Sequence, residues 1–407
     1  MSERDKKVTD VISDAKKIQG SESRADYLDR ARAVSPLVEA DADTIERTGK
    51  VTDRVYQALR EAGLFWLLVP REYGGAGQDV LSLLEVLEEI SQADASTGWS
   101  LMANMASGGV AGGFLADEAL EVLYHGSEMA ITAGQLGPIG KGVAVDGGFQ
   151  TGGRYQFGSG SDHANWIGGG FVVLEDGKPR RLPSGEVDMR VGFYPRDAVV
   201  MQGNWDVAGL VGTSSYDYEV PEQFVSEAFT FERTSVKPRR DEPVYYLGNI
   251  GMGVAGHAGV ALGLMRRALR EVAHITEGKK RGGYPQPVGE YPVFLYEFSR
   301  FEAKYQAARS YVFKVFGEAQ ESAAATKEIS AEQRARLRQA VTWTHETATE
   351  VVGFCHLWGG TQSFRNPSAL GRATRDLGVA TQHVLMDPIT LVDSAGPILA
   401  HWQSEGA

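Results

Sequence analysis

The chain has 407 residues, 43% of them apolar and 23% charged, with a formal net charge of −12. At ~150 residues per domain this predicts two or three domains, and the composition excludes wholesale disorder. The acidic balance argues against nucleic-acid or anionic-membrane partners, and the single cysteine, Cys355, excludes an intrachain disulfide and a cysteine-built metal site.

The first stretch, MSERDKKVTDVISDAKK, is polar and has no apolar core of the signal-peptide kind. No run of ~20 apolar residues predicts a membrane span, so a cytoplasmic protein is expected. Residues 1–126 predict an α-helical domain. Val51, Val55 and Leu59 recur at four-residue steps on one helix face. LFWLLVPREYGGAG interrupts with Pro70, Gly74, Gly75 and Gly77. DVLSLLEVLEEISQAD follows as a helix too apolar for the surface, and GWSLMANMASGGVAGGFL as one rich in small residues, suited to close packing or to lining a cleft.

Residues 127–236 predict a small antiparallel β-domain, a barrel or sandwich. Short β-like runs (AITAG, GGFQTGGRYQFGSG, IGGGFVVLED, GEVDMRVGFYP, AVVMQGNW, SYDYEVPEQFV) are separated by turns such as EDGK and PSGE. Residues 237–407 predict a helical bundle. Phe294, Phe298, Phe301, Tyr305, Ala308, Val312 and Phe316 form one apolar stripe. Ser330 and Gln333 fit a capping box opening a helix whose stripe is Leu337, Val341, Thr344, Ala348, Val351 and Cys355. SALGRATRDLGVATQHVL is read as the last helix, with His383 near its end and Asp387 one turn on.

Gly251-Met-Gly253-Val-Ala-Gly256 matches GxGxxG, after a strand-like VYYL. A dinucleotide fold needs a second strand and an acid ~20 residues later, and a Gly/Pro-rich loop stands there instead. Helix-packing glycines are therefore the favoured reading. The eight histidines show no HExxH or zinc-finger spacing, so no metal is expected; GxSxG and P-loop patterns are also missing. GRYQFGSGSDHANWIGGG reads either as a hairpin connection or as a backbone loop that meets a flat ligand. In the second case Phe157 and Trp166 would be apolar walls and the serines hydrogen-bond donors.

In order along the chain, LLVPREYGGAG, the Gly/Ser hairpin, VAGLVGTSSYDYEV, LWGGTQSF and RATRDLGVATQHV resemble the acyl-CoA dehydrogenase superfamily from about residue 25 to 400. That resemblance implies an N-terminal helical domain, a middle β-barrel, a C-terminal four-helix bundle and a homotetramer. Many dehydrogenases of the superfamily carry a catalytic glutamate about eight residues after an Arg-Asp pair. Here Val384 stands at that place after Arg375-Asp376. The string NPSALGRATRDLGVATQHVLMD resembles instead the two-component flavin monooxygenases. These use reduced flavin, FAD or FMN, from a separate NAD(P)H:flavin reductase, and oxygenate a small aromatic or heteroatom substrate with O2 through a C4a-hydroperoxyflavin.

By this resemblance His383 is a catalytic base, and Ser159 or Ser161 donates hydrogen bonds near the flavin N5. Phe157, Gly160 and Trp166 flank the ring. Trp358, Gly359 and Gly360 meet a flavin phosphate or adenine across a subunit boundary, with Arg372 and Arg375 as charges there. Thr213, Ser214 and Tyr216 lie near substrate or flavin. Many such hydroxylases have a second histidine in the N-terminal domain. Trp99, Asn104 and Ser107 stand in the corresponding helix here and are the substrate-side candidates. The alternatives are an FAD-dependent acyl-CoA dehydrogenase and a non-catalytic ligand-binding member of the fold.

Overall fold

The computed structural model describes residues 22–283 and 285–405. The polar stretch MSERDKKVTDVISDAKK, where no signal peptide is expected, lies outside them.

Among the described residues five helices come first: α1 (Arg24–Thr48), α2 (Asp53–Glu61), α3 (Val80–Ala93), α4 (Ala95–Phe114) and α5 (Asp117–Tyr124). Thr52, Asp79 and Asp94 each accept a backbone N–H as side-chain caps of α2, α3 and α4. The helix face expected around Val51, Val55 and Leu59 holds for the last two; Val51 precedes α2 but is buried too. α3 and α4 are buried along almost their whole length, as their composition requires.

Eight strands follow: β1 (Thr132–Val145), β2 (Gly148–Gly158), β3 (Trp166–Glu175), β4 (Lys178–Pro179), β5 (Met189–Pro195), β6 (Val200–Met201), β7 (Tyr216–Ser226) and β8 (Thr230–Glu232). They form one sheet in the order β6-β7-β2-β1-β3-β5-β8, with β4 on β3. It departs from the expected antiparallel barrel in two ways. β1 and β3 run parallel, and among the described residues no pairing joins β6 to β8. The sheet still curls around its own core of Phe149, Tyr155, Phe171, Tyr194 and Tyr218. From β7, the Tyr218 hydroxyl donates to Gly168 O (2.6 Å) in β3 and accepts from Gln135 N (2.7 Å) in β1. The β1–β3 register shifts between Gln135 and Gly140, leaving that backbone irregular.

The last five helices are α6 (Gly248–Gly278), α7 (Pro292–Thr326), α8 (Ala331–Gly359), α9 (Ala369–Ala380) and α10 (Ile389–Ser404). The Ser330–Gln333 capping box is present, and every residue of the stripe from Leu337 to Cys355 is buried. The residues read as a strand before GxGxxG, Val244–Leu247, lie in a 3-10 turn. Gly251 and Gly256 are packing residues, whereas a Cβ at Gly253 would meet only Leu385 Cδ1, at 3.8 Å. A Cβ at Gly256 would stand 2.4 Å from Met102 Cγ, and one at Gly263 2.6 Å from Ser91 Cβ. α6 is long and apolar enough to cross a membrane, but 83% of its apolar window is buried inside the protein.

α9 was expected to run through His383. It stops at Ala380, and His383 is extended (φ −68°, ψ 137°) ahead of a 3-10 turn, Val384–Met386. Asp387 is therefore not stacked on it; its Oδ1 accepts from Ile389 N (2.8 Å). α10 follows, one helix beyond the last that the sequence predicts.

Candidate active site

A cavity of about 470 Å³ opens between α4, α6, the irregular part of β1, the 205–215 loop and the chain just after α9. α4 contributes Trp99, Met102, Ala103, Ala106 and Ser107; α6 contributes Asn249, Gly253 and His257; His383 and Leu385 come from the segment after α9. Phe157, Ser159, Trp205 and Ser215 complete the aromatic and hydroxyl part of the wall. Among the described residues no Asp or Glu lines it.

The loop after β2 is built around Gly160. Its φ is +69°, and a Cβ there would stand 2.7 Å from Asn104 Oδ1 and 2.8 Å from Ser100 O. Asn104 Nδ2 donates to Gly160 O (3.2 Å) and Thr132 O (2.9 Å), tying this loop to α4 and to β1. Asn104 thus positions the loop and does not line the cavity.

The 205–215 loop is held from three sides. Leu210 N–H donates to Asp376 Oδ1 (2.6 Å) in α9. Gly212 N–H donates to Ser96 Oγ (3.2 Å), and Ser214 Oγ donates to Gly49 O (3.0 Å). Phe157, Leu210 and Ser214 all have positive φ without being glycine. Such strain persists only where surrounding bonds determine it, and it gathers here at the cavity.

These supports align a chain of hydroxyls. Trp99 Nε1–H donates to Ser159 Oγ (3.1 Å); Ser159 and Ser215 are 2.7 Å apart, Ser215 and Thr213 2.6 Å, and Thr213 Oγ1 donates to Leu210 O (2.9 Å). An indole N–H can only donate and a carbonyl can only accept. With one hydrogen per hydroxyl, Thr213's goes to Leu210, Ser215's to Thr213 and Ser159's to Ser215. Ser159 therefore keeps an acceptor lone pair and no free hydrogen. It was expected as a donor; the network makes it an acceptor.

His383 lines the cavity beside a histidine that sequence reasoning missed. The rings of His257 and His383 lie 4.2 Å apart at 39°, and Trp99 stands edge-on to both (4.8 and 5.9 Å). His345 Nε2 donates to His257 O (3.3 Å) from behind. Burial pushes His383 down to about 4 and His345 to about 4; burial and the two neighbouring histidines push His257 well below its ordinary value. His383 is not poised as the base that the resemblance implies. It is instead a neutral imidazole at pH 7, with Nδ1 accepting Leu385 N–H (3.3 Å). His257 directly follows GxGxxG, so its position on the helix face shared with Gly253 was the available signal.

The other expected residues are placed elsewhere. Ser161 is fully buried and its Oγ donates to Ser214 O (3.4 Å). Trp166 stacks on Phe229 (5.4 Å), and Tyr216 opens β7 outside the lining. Thr213 reaches the cavity only through Ser215. Arg372 is paired with Asp43 (2.7 Å) and Glu46 (3.3 Å), and Arg375 with Glu46, joining α9 to α1. Trp358 donates to Glu297 (2.7 Å) under Arg281, and Gly359 O accepts from Lys279; with Gly360 they form a separate corner.

The family profile described as acyl-CoA dehydrogenase, N-terminal domain, matches residues 26–113, and the C-terminal domain profile matches residues 255–388. The chain belongs to the acyl-CoA dehydrogenase superfamily. It is 29% identical over 348 residues to an indole-3-acetate monooxygenase of Pseudomonas putida, covering 85% of this chain and 86% of that one. It is 30% identical over 199 residues to the oxygenase subunit HsaA, a flavin-dependent monooxygenase of Rhodococcus jostii, covering 49% and 50%. XiaF of Streptomyces, solved with FADH2 and glycerol, has the same fold (TM-score 0.83, 20% identity, 93% and 95% covered).

Proposed function

We propose that this protein is the oxygenase component of a two-component flavin-dependent monooxygenase. It takes reduced flavin, FAD or FMN, from a separate NAD(P)H:flavin reductase and oxygenates a small aromatic or heteroatom substrate with O2. The observation that carries this reading is the cavity lining, which holds Ser159, His257 and His383 but no carboxylate. A dehydrogenase must remove a carbon-bound proton with a base in reach of it, and the lining offers no Glu or Asp for that. A non-catalytic reading needs a filled cleft, and about 470 Å³ is open. The monooxygenase relatives support the same choice.

The residues fit a flavin. Trp99, Phe157 and Trp205 give flat walls, and two buried polar atoms on the lining, Ser107 Oγ and His257 Nδ1, have no hydrogen-bond partner among the described residues. When bound, reduced flavin supplies the two electrons with which O2 gives one oxygen atom to the substrate and the other to water. Ser159, with its free lone pair, would accept a hydrogen bond from a ring N–H, a group that the reduced ring carries at N5. Met102, Ala103, Ala106 and Leu385 keep water out, which strengthens each polar contact inside. His383, neutral and with Nδ1 already accepting Leu385 N–H, carries its proton on Nε2, which donates to a substrate oxygen and orients it rather than removing a proton from it.

His383→Ala tests this. Hydroxylated product falls at least tenfold while affinity for reduced flavin stays within about twofold. Equal loss of both would place His383 in flavin binding instead. The exposed apolar residues Val293, Tyr296, Leu357, Phe364, Val392 and Trp402 support self-association into the expected homotetramer, which light scattering measures.

A further inference from the structure

Among the described residues Arg233 is the one Lys or Arg on the cavity wall, and no Asp or Glu faces it there. It directly follows β8. Its backbone N–H donates to Met189 O (2.8 Å) and its Nε to Leu136 O (2.8 Å), in the irregular part of β1. The terminal nitrogens of this half-buried guanidinium meet no carboxylate among the described residues. Other buried arginines differ. Arg240 meets Glu72 and Asp117, Arg267 meets Glu39 and Glu271, and Arg372 meets Asp43 and Glu46.

A guanidinium drawn partly out of water without a counter-charge is costly, and an arriving anion relieves that cost. Its planar fork suits a carboxylate in two parallel hydrogen bonds. Nε is already fixed on Leu136 O, so the free end is oriented before any ligand arrives. Around it the wall is aromatic, small or neutral: Gln135, Asn249, Trp99, Trp205 and the uncharged histidines. An apolar ring with one acid group matches this distribution; a neutral hydrocarbon would leave Arg233 unpaired and further desolvated.

We propose that the substrate is an aromatic acid whose carboxylate is bound by Arg233, with its ring against the apolar wall. The oxygenation itself rests on the reading above, but the recognition of the acid does not. A flavin phosphate is the other anion that the same fork accepts, and the test separates the two.

The intact protein is titrated calorimetrically, without turnover, with matched acid and amide pairs: indole-3-acetate with indole-3-acetamide, and phenylacetate with phenylacetamide. Reduced FMN and reduced riboflavin are titrated anaerobically beside them. The wild type prefers at least one acid over its amide by about tenfold or more, the range expected of a charge-assisted pair. Arg233→Gln abolishes that preference, Arg233→Lys retains part of it, and both keep the wild-type preference for FMN over riboflavin. Equal binding of acids and amides by the wild type overturns the proposal. So does an Arg233→Gln variant that keeps the acid preference and loses only the preference for FMN, which would give this arginine to the phosphate. Product formation is not read, so a failed oxygenation assay leaves these outcomes unaffected.

Discussion

Ser215→Ala tests the direction of the hydroxyl chain, because it leaves the Ser159 oxygen in place and removes only what holds its hydrogen. Ser215 is buried and bonded to Ser159 at 2.7 Å and Thr213 at 2.6 Å. Two lost hydrogen bonds at ~0.5–1.5 kcal/mol each lower stability by about 1–3 kcal/mol. At ~2–4 °C per kcal/mol this is a fall in Tm of roughly 2–12 °C. The functional effect has a different origin. The released Ser159 hydrogen can turn toward the cavity, where it opposes a ligand N–H. Loss of one acceptor contact worth ~1–1.5 kcal/mol weakens reduced-flavin binding about tenfold, and more of the O2 is released as peroxide. The assay is reduced-flavin affinity, with the ratio of product formed to O2 consumed. Ser159→Ala, which also leaves the Trp99 N–H without its partner, falls at least as far on both. If Ser215→Ala binds reduced flavin and couples as the wild type does while Ser159→Ala fails, the chain's direction has no role and the acceptor assignment is wrong.

Gly160→Ala forces a side chain into positive φ and against Asn104 and Ser100; strain of ~1–2 kcal/mol, plus loss of the Asn104 bonds, lowers Tm by several degrees and impairs flavin binding. An unchanged Tm would show that the loop relaxes freely. Asp376, raised to about 7 by burial and by the nearby Asp94, favours the folded state when protonated. Its folded pKa lies above the unfolded one, so its contribution is full below about pH 4 and is lost as pH rises through about 7. Asp376→Asn keeps the acceptor for Leu210 N–H, and its Tm relative to wild type rises between pH 5.5 and pH 8.5. Parallel curves would contradict the raised value. His257→Phe fills the same space without a polar edge and reduces turnover more than reduced-flavin affinity; an equal loss of both would assign His257 to packing.

Much of the fold could be read in advance because its signals are local. The stripe from Leu337 to Cys355 and the Ser330–Gln333 box are short-range patterns that α8 realises. α10 escaped because Pro388 and Pro397 punctuate its sequence. The parallel β1–β3 pairing is a long-range choice, set where the chain crosses the sheet after Gly158. Site residues divided in the same way. His383 and Ser159 stood out through a family-like pattern, whereas His257 and Arg233 acquire meaning only when helix packing and a β-bulge bring them to one cavity. Arg372 and Arg375 looked like ligand charges because a sequence does not show that Asp43 and Glu46, over 300 residues away, are their partners. Both halves of the Arg375–Asp376 pair in α9 have protein partners, Arg375 with Glu46 of α1 and Asp376 with Leu210 N–H of the loop that carries Ser215.

The most direct test mixes the protein, loaded anaerobically with reduced flavin and an aromatic acid, with isotopically labelled O2. One labelled oxygen atom in the product, with oxidised flavin and water as co-products, is the predicted result. Unlabelled product or none, together with anaerobic bleaching of bound oxidised FAD by an acyl-CoA, would contradict it and return the chain to dehydrogenase chemistry.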